Sequence, residues 1–170
     1  KVSFPGAGVA AVVSSPANVP AIVKQLTNQS IGHDKINQLR HVRYFKNAAG
    51  IAEQMMKQAA IIRPKFELMD AAFNTELVDL EVGTWVKPKG GYFICFEALE
   101  GCAKSIIAKL KDAGVTMTPA GAPFPYGIDP KDSVIRIAPT FPTLEEIKKA
   151  TEIFILCVKL VSAEKILASK

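Results

Sequence analysis

Apolar residues recur along the chain with two periods, and the change between them divides it. From Ile51 to Leu77 the large apolar positions are Ile51, Met55, Met56, Ala59, Ile62, Phe66, Met69, Phe73 and Leu77. Steps of three and four predict one long amphipathic helix with a packing stripe. Pro64 falls inside it and predicts a kink or short break, because proline lacks the amide hydrogen that the helix ladder needs. Before this stretch, residues 8–14 form an apolar run that predicts a buried strand. A helix follows from Asn18 to Leu26, with Pro20 in its first turn, where no amide donor is required. Asp34 predicts an N-cap for a further helix ending at Phe45, and Asn47 to Gly50 breaks it.

After Gly83 the pattern shortens. Thr84 to Val86 and Tyr92 to Glu97 predict strands around the turn Lys87-Pro88-Lys89-Gly90-Gly91. Glu100 to Ala113 predicts an amphipathic helix with Ala103, Ile106, Ile107 and Leu110 on one side and Gly114 as its stop. Val115 to Thr118 and Ser133 to Ala138 predict two more strands. They are separated by a loop carrying Pro119, Pro123, Pro125 and Pro130. Thr143-Leu144-Glu145-Glu146 is a capping box that opens a last helix, with Ile147, Ala150, Phe154, Cys157 and Val161 on its apolar side. The predicted fold class is α/β. Residues 1–45 read as the tail of an α/β domain and residues 46–170 as a small α+β domain.

Composition narrows the function classes. The chain has 170 residues, 49% of them hydrophobic, enough for a sizeable core. Its net charge of +5 is spread among acidic residues, which argues against nucleic-acid binding and leaves room for anionic ligands. Cys95, Cys102 and Cys157 lie in or beside apolar runs without metal-ligand spacing, and read as buried thiols of a reducing cytoplasm. His33 and His41 are too isolated to suggest a metal. Charged residues interrupt the last helix, so no segment predicts a membrane span. Lys1 has no initiator Met or signal peptide before it, and the chain is expected to be the C-terminal part of a longer polypeptide.

Candidate chemistry rests on a few residues. Arg136 lies on a predicted strand, on one face with Val134 and Ala138. It reads either as a cleft arginine able to pair with a carboxylate or as a surface arginine on an edge strand. Tyr126, in the Pro-rich loop, either meets a ligand or rests on the surface. Arg40, Arg43, His41 and Lys35 form a basic helical cluster, read as a solvated face or as a phosphate or interface contact. Lys1, before a Gly/Pro turn and an apolar run, is either a solvated terminus or a Schiff-base amine. No dinucleotide fingerprint, phosphate loop or Ser/His/Asp arrangement is present.

Taken in order, five segments resemble a fold-type I pyridoxal-phosphate aminotransferase from its cofactor lysine to its C-terminus. They are Lys1-Val2-Ser3-Phe4-Pro5-Gly6-Ala7-Gly8, the stretch from Ile31 to Arg43, Lys87-Pro88-Lys89-Gly90-Gly91-Tyr92-Phe93, Thr118-Pro119-Ala120-Gly121 with Phe124-Pro125-Tyr126-Gly127, and Ile135-Arg136-Ile137-Ala138-Pro139. The similarity is to the aspartate aminotransferase branch, whose relatives include the aminotransferase-like parts of GntR-type regulators. It implies that pyridoxal 5′-phosphate is the cofactor and that Lys1 forms the Schiff base and shuttles the substrate proton. It implies that Arg136 clamps the substrate α-carboxylate, with Tyr126 nearby, and that the turn at Gly6 and Gly8 helps hold the cofactor. It implies transfer of an amino group from aspartate, or a similar amino acid, to 2-oxoglutarate in a cytoplasmic homodimer. The alternative is a ligand-sensing module of a winged-helix transcription regulator. Many relatives carry a basic residue eight positions after the lysine. Val9 stands there, so the cofactor phosphate must rely on other groups.

Overall fold

The computed structural model describes residues 2–3 and 6–168. Five α-helices, a three-stranded antiparallel sheet and two short 3-10 turns, Val78–Leu80 and Pro125–Gly127, account for the regular structure of the described residues. The chain divides into two compact units, Lys1–Ala60 and Ile61–Lys170.

The first unit holds α1 (Val19–Gln29), α2 (Lys35–Phe45) and the first part of α3 (Ala48–Glu76). Asp34 caps α2 as its side chain predicts: Oδ1 accepts from the Asn37 amide at 2.9 Å. The apolar run 8–14 departs from expectation. It forms no strand, and its valines are exposed, Val13 at 95%. A strand requires a hydrogen-bonded neighbour, and none of the described residues pairs with this run.

α3 is continuous through Pro64, so of the expected kink or short break the break does not form. The missing amide of a proline costs a helix one bond, and a helix of 29 residues with a packed stripe absorbs that loss. The stripe itself is shorter than expected. Ile51, Met55 and Met56 are exposed, whereas Phe66 is partly buried and Met69, Phe73 and Leu77 are buried.

The second unit is built around the sheet. β1 (Gly83–Trp85), β2 (Ile94–Ala98) and β3 (Val134–Ile137) pair in chain order, with Trp85 opposite Phe96 and Phe96 opposite Ile135. Alternation sends Ile94, Phe96, Ala98, Ile135 and Ile137 into one core with residues of α3, α4 (Ala103–Asp112) and α5 (Leu144–Ala168). Four aromatic rings join these layers. Phe73 of α3 lies 5.3 Å from Trp85, 5.6 Å from Phe96 and 5.4 Å from Phe154, centroid to centroid. Gly83 is fixed by the same packing, since a Cβ there would overlap the Phe96 ring. Outside the core, Asp70 of α3 accepts from Trp85 Nε1 at 3.2 Å and from Lys87 Nζ at 2.7 Å. The Lys87 ammonium holds its carboxyl below the ordinary carboxylate range, with Trp85 adding to the effect.

The capping box forms at α5: the Thr143 amide donates to Glu146 Oε2 at 2.7 Å, and the Glu146 amide to Thr143 Oγ1 at 3.3 Å. Gly114 ends α4 with a φ of +85°. Val115 to Thr118 forms no strand. The segment borders a cavity beside β3 instead of pairing with it, which leaves β3 at the sheet edge. Cys102 and Cys157 are buried free thiols whose burial pushes their pKa up. Cys95 is exposed, contrary to the expectation of three buried thiols, because β2 alternates and Cys95 points away from the helices.

Phe73→Ala removes the ring that touches three others and leaves a cavity. We expect a loss of about 3–5 kcal/mol in unfolding free energy. Urea unfolding of the second unit's tryptophan signal measures it, and a loss below about 1 kcal/mol would contradict this description of the core.

Candidate functional site

The sheet face opposite the helices carries Arg136, the charged candidate of the second unit. Register places Cys95 opposite Arg136 and Glu97 opposite both Val134 and Thr84, so these five share that face. Arg136 is half-buried, and its guanidinium carbon lies 4.8 Å from the centre of the Phe93 ring. Stacking of this kind holds the cation in place without using its hydrogen-bond donors. Arg136 Nε is buried and has no hydrogen-bond partner. An orphaned charged donor costs more than an orphaned neutral one, so an anion bound there would recover that cost.

Residues Arg136 to Pro139 also line a cavity of about 560 Å³, together with Ala113 to Thr118 and the first turns of α5. Its walls are mostly apolar, with Thr116, Thr118, Glu146, Lys149 and Thr151 as polar members beside Arg136.

The loop before β3 fixes where Arg136 stands. Asp129 Oδ2 accepts from the amides of Ser133 and Val134 at 2.8 Å each, and Oδ1 from Lys131 at 3.0 Å. The bond from Val134, followed by those from Ser133 and Lys131, holds the Asp129 carboxyl below its ordinary pKa. Asp132, at a φ of +47°, then turns back onto the start of α4. Its carbonyl accepts from Ala103 at 2.8 Å and its Oδ1 from Lys104 at 3.1 Å. Nothing in the linear pattern singled out Asp129 or Asp132. The signal available was an acidic residue shortly before a strand and another facing a helix start with no capping side chain of its own.

The Pro-rich loop is closed at Gly121, which is buried, has a φ of +84° and leaves no room for a Cβ against the Gly127 carbonyl. Tyr126 lies in this loop in left-handed backbone with 98% of its surface exposed. It is not among the residues lining the cavity beside Arg136.

In the first unit, Gly6 is exposed with a φ of +79°, and Gly8 is exposed. The segment around them is tied to two helices. Asn37 Nδ2 donates to the carbonyls of Ala7 and Gly8 at 3.1 and 3.4 Å. His41 Nε2 lies 3.0 Å from Ser3 Oγ. Gln58 Nε2 donates to the carbonyls of Val2 and Ser3 at 2.8 and 3.4 Å. Ser3, Arg40, His41 and Tyr44 border a second cavity of about 270 Å³. Lys1 lies outside the described residues. No cluster of three or more His, Cys, Asp or Glu side chains able to hold a metal occurs among the described residues. No helix among them is long and apolar enough to cross a membrane.

Comparison with known proteins places this geometry in context. A family model for aspartate amino-transferases matches residues 1–170. A protein of Mycolicibacterium smegmatis assigned as an aminotransferase is 41% identical over 170 residues, covering 100% of this chain and 40% of that protein. The aspartate aminotransferase of Corynebacterium glutamicum is 35% identical over 164 residues, 96% of this chain and 38% of that protein. The chain thus spans about two fifths of the length of these relatives. A crystal structure of an aspartate transaminase from C. glutamicum superposes with a TM-score of 0.85 at 35% identity, over 90% of this chain and 36% of that one. The α-aminoadipate aminotransferase of Thermus thermophilus, solved with N-(5′-phosphopyridoxyl)-L-leucine, shares the fold at a TM-score of 0.71 and 20% identity, over 89% of this chain and 38% of that one.

The Asp129 network yields a pH prediction. A carboxyl whose pKa is lower folded than unfolded adds stability above the unfolded value and loses it as pH falls through the folded value. Thermal midpoints measured downward from about pH 5 should therefore drop as pH passes below about 4. Asp129→Asn should show a shallower drop over that range, and an identical slope would contradict the assignment.

Proposed function

Because the chain belongs to the aspartate aminotransferase family, we propose that it is the C-terminal part of a pyridoxal-phosphate enzyme that transfers the amino group of aspartate, or a similar amino acid, to 2-oxoglutarate. In that enzyme residues 1–45 close the cofactor-binding domain and residues 46–170 form the small domain. The observation that carries the reading is Arg136: stacked on Phe93, with an orphaned Nε, on the sheet face left open by the helices.

The residues present fit the cofactor and its substrate. Pyridoxal phosphate supplies an electron sink that makes the amino acid's α-proton acidic. Lys1 provides the amine that holds the cofactor and moves that proton. The Gly6 turn leaves the main chain open to a ligand, since a Cβ at Gly6 or Gly8 would meet nothing within 4 Å. With Val9 eight positions after Lys1, the phosphate draws on main-chain amides of this turn and on groups beyond this chain.

Arg136 pairs with the substrate α-carboxylate. The guanidinium fork matches a carboxylate in two parallel bonds, which fixes the angle of the α-carbon as well as its distance. Phe93 beneath it keeps the fork from rotating. The clamp thus does its work by orientation. Tyr126 stands on a closed, left-handed loop that presents its ring outward, as a side chain available to whatever approaches that face. A homodimer completes the site in this reading.

Arg136→Ala in the longer polypeptide should raise the KM for aspartate by about tenfold to a hundredfold, the loss of one charge-assisted pair, while pyridoxal phosphate stays bound. Arg136→Lys should fall between the two, because it keeps the charge and loses the fork. Steady-state kinetics with absorbance of the bound cofactor measure both. Aspartate kinetics unchanged in Arg136→Ala would overturn the assignment.

A further inference from the structure

The hydrogen bonds around residues 2–8 have a polarity that can be worked out atom by atom. His41 Nδ1 lies 2.8 Å from the Asn37 carbonyl oxygen, which can only accept. Nδ1 therefore carries a proton, and in the neutral ring Nε2 accepts from the Ser3 hydroxyl at 3.0 Å. Arg40 Nη2 donates to Asn37 Oδ1 at 2.7 Å. An arginine only donates, so this bond fixes the orientation of the Asn37 amide and aims Nδ2 at the Ala7 and Gly8 carbonyls. Gln58 Nε2 faces two carbonyl oxygens, those of Val2 and Ser3, and must be the donor there.

Asn37 and His41 are one helical turn apart on α2 and share a face, whereas Gln58 comes from α3. Together they grip the main chain on both sides of the Gly6 turn, at Val2 and Ser3 before it and at Ala7 and Gly8 after it. Val2 is one peptide bond from Lys1. Most of the grip is on backbone carbonyls, so it fixes the path of the chain rather than any one side chain. Ala7 is buried, whereas Gly6 and Gly8 on either side of it are exposed.

We propose that Asn37, His41 and Gln58 are positioning residues for Lys1. By clamping residues 2–3 and 7–8 they set where the lysine begins, and so the reach of its amine to cofactor and substrate. The proposal rests on the reading of Lys1 as the Schiff-base lysine. It assigns a catalytic consequence to side chains that touch neither the cofactor nor the substrate. The physical argument is one of tolerance: a proton carrier displaced by an ångström loses far more rate than a fold loses stability from one part-buried hydrogen bond.

Asn37→Asp and Gln58→Glu test it, made separately in the longer polypeptide loaded with pyridoxal phosphate. Each keeps the side chain's shape, removes the donor and turns a carboxylate toward carbonyl oxygens. Expected are a wild-type circular dichroism spectrum, a fall of about tenfold or more in kcat per bound cofactor, and a smaller change in aspartate KM. The pH midpoint of the bound cofactor's absorbance should also move, a signature that a role confined to fold stability would leave in place. Wild-type kcat per bound cofactor with a wild-type midpoint in both variants would overturn the proposal. Loss of folding in both would overturn it too, since it would show the clamp to be structural. If the unmodified protein shows no cofactor absorbance, the functional reading falls and this inference with it. An active, cofactor-bound wild type with indifferent variants sinks this inference alone.

Discussion

The contact of Phe73 with Trp85, Phe96 and Phe154 is the constraint on which the second unit's geometry depends. Those rings belong to α3, β1, β2 and α5, so one side chain sets the depth of two strands against two helices. Phe96 in turn faces Ile135 across the ladder. Once Ile135 points into the core, Arg136 cannot. Strand alternation sends it to the open face, where its guanidinium lies over the Phe93 ring. The placement of the carboxylate-binding candidate follows from apolar packing, with no polar network required to steer it. Asp129 refines that placement by fixing the chain as it enters β3.

Features set by neighbouring residues were legible in the sequence. The caps at Asp34 and Thr143, the stop at Gly114 and the face of Arg136 all depend on residues within a turn or two of each other, and all form as the pattern predicts. What depended on distant partners was not legible. Residues 8–14 and 115–118 have strand-like composition, but a strand exists only with a neighbour, and periodicity cannot name one. Ile51, Met55 and Met56 continue a helical stripe beyond the part of it that packs among the described residues. The grip of Asn37, His41 and Gln58 on residues 2–8 crosses as many as 56 positions, and no local rule connects them.

The two units divide the chemistry. The first secures the main chain beside Lys1, and the second orients a guanidinium on a rigid sheet. In the second unit the buried Arg136 Nε is left without a partner. The curated relatives are more than twice this chain's length. In this account the proton-moving amine and the carboxylate clamp come from opposite ends of the 170 residues.

The most direct test is a crystal structure of the longer polypeptide with pyridoxal phosphate and a dicarboxylate such as succinate bound. The account predicts Lys1 Nζ joined to the cofactor, and one carboxylate paired with the Arg136 guanidinium above Phe93. A carboxylate bound elsewhere, with Arg136 left facing solvent, would contradict it.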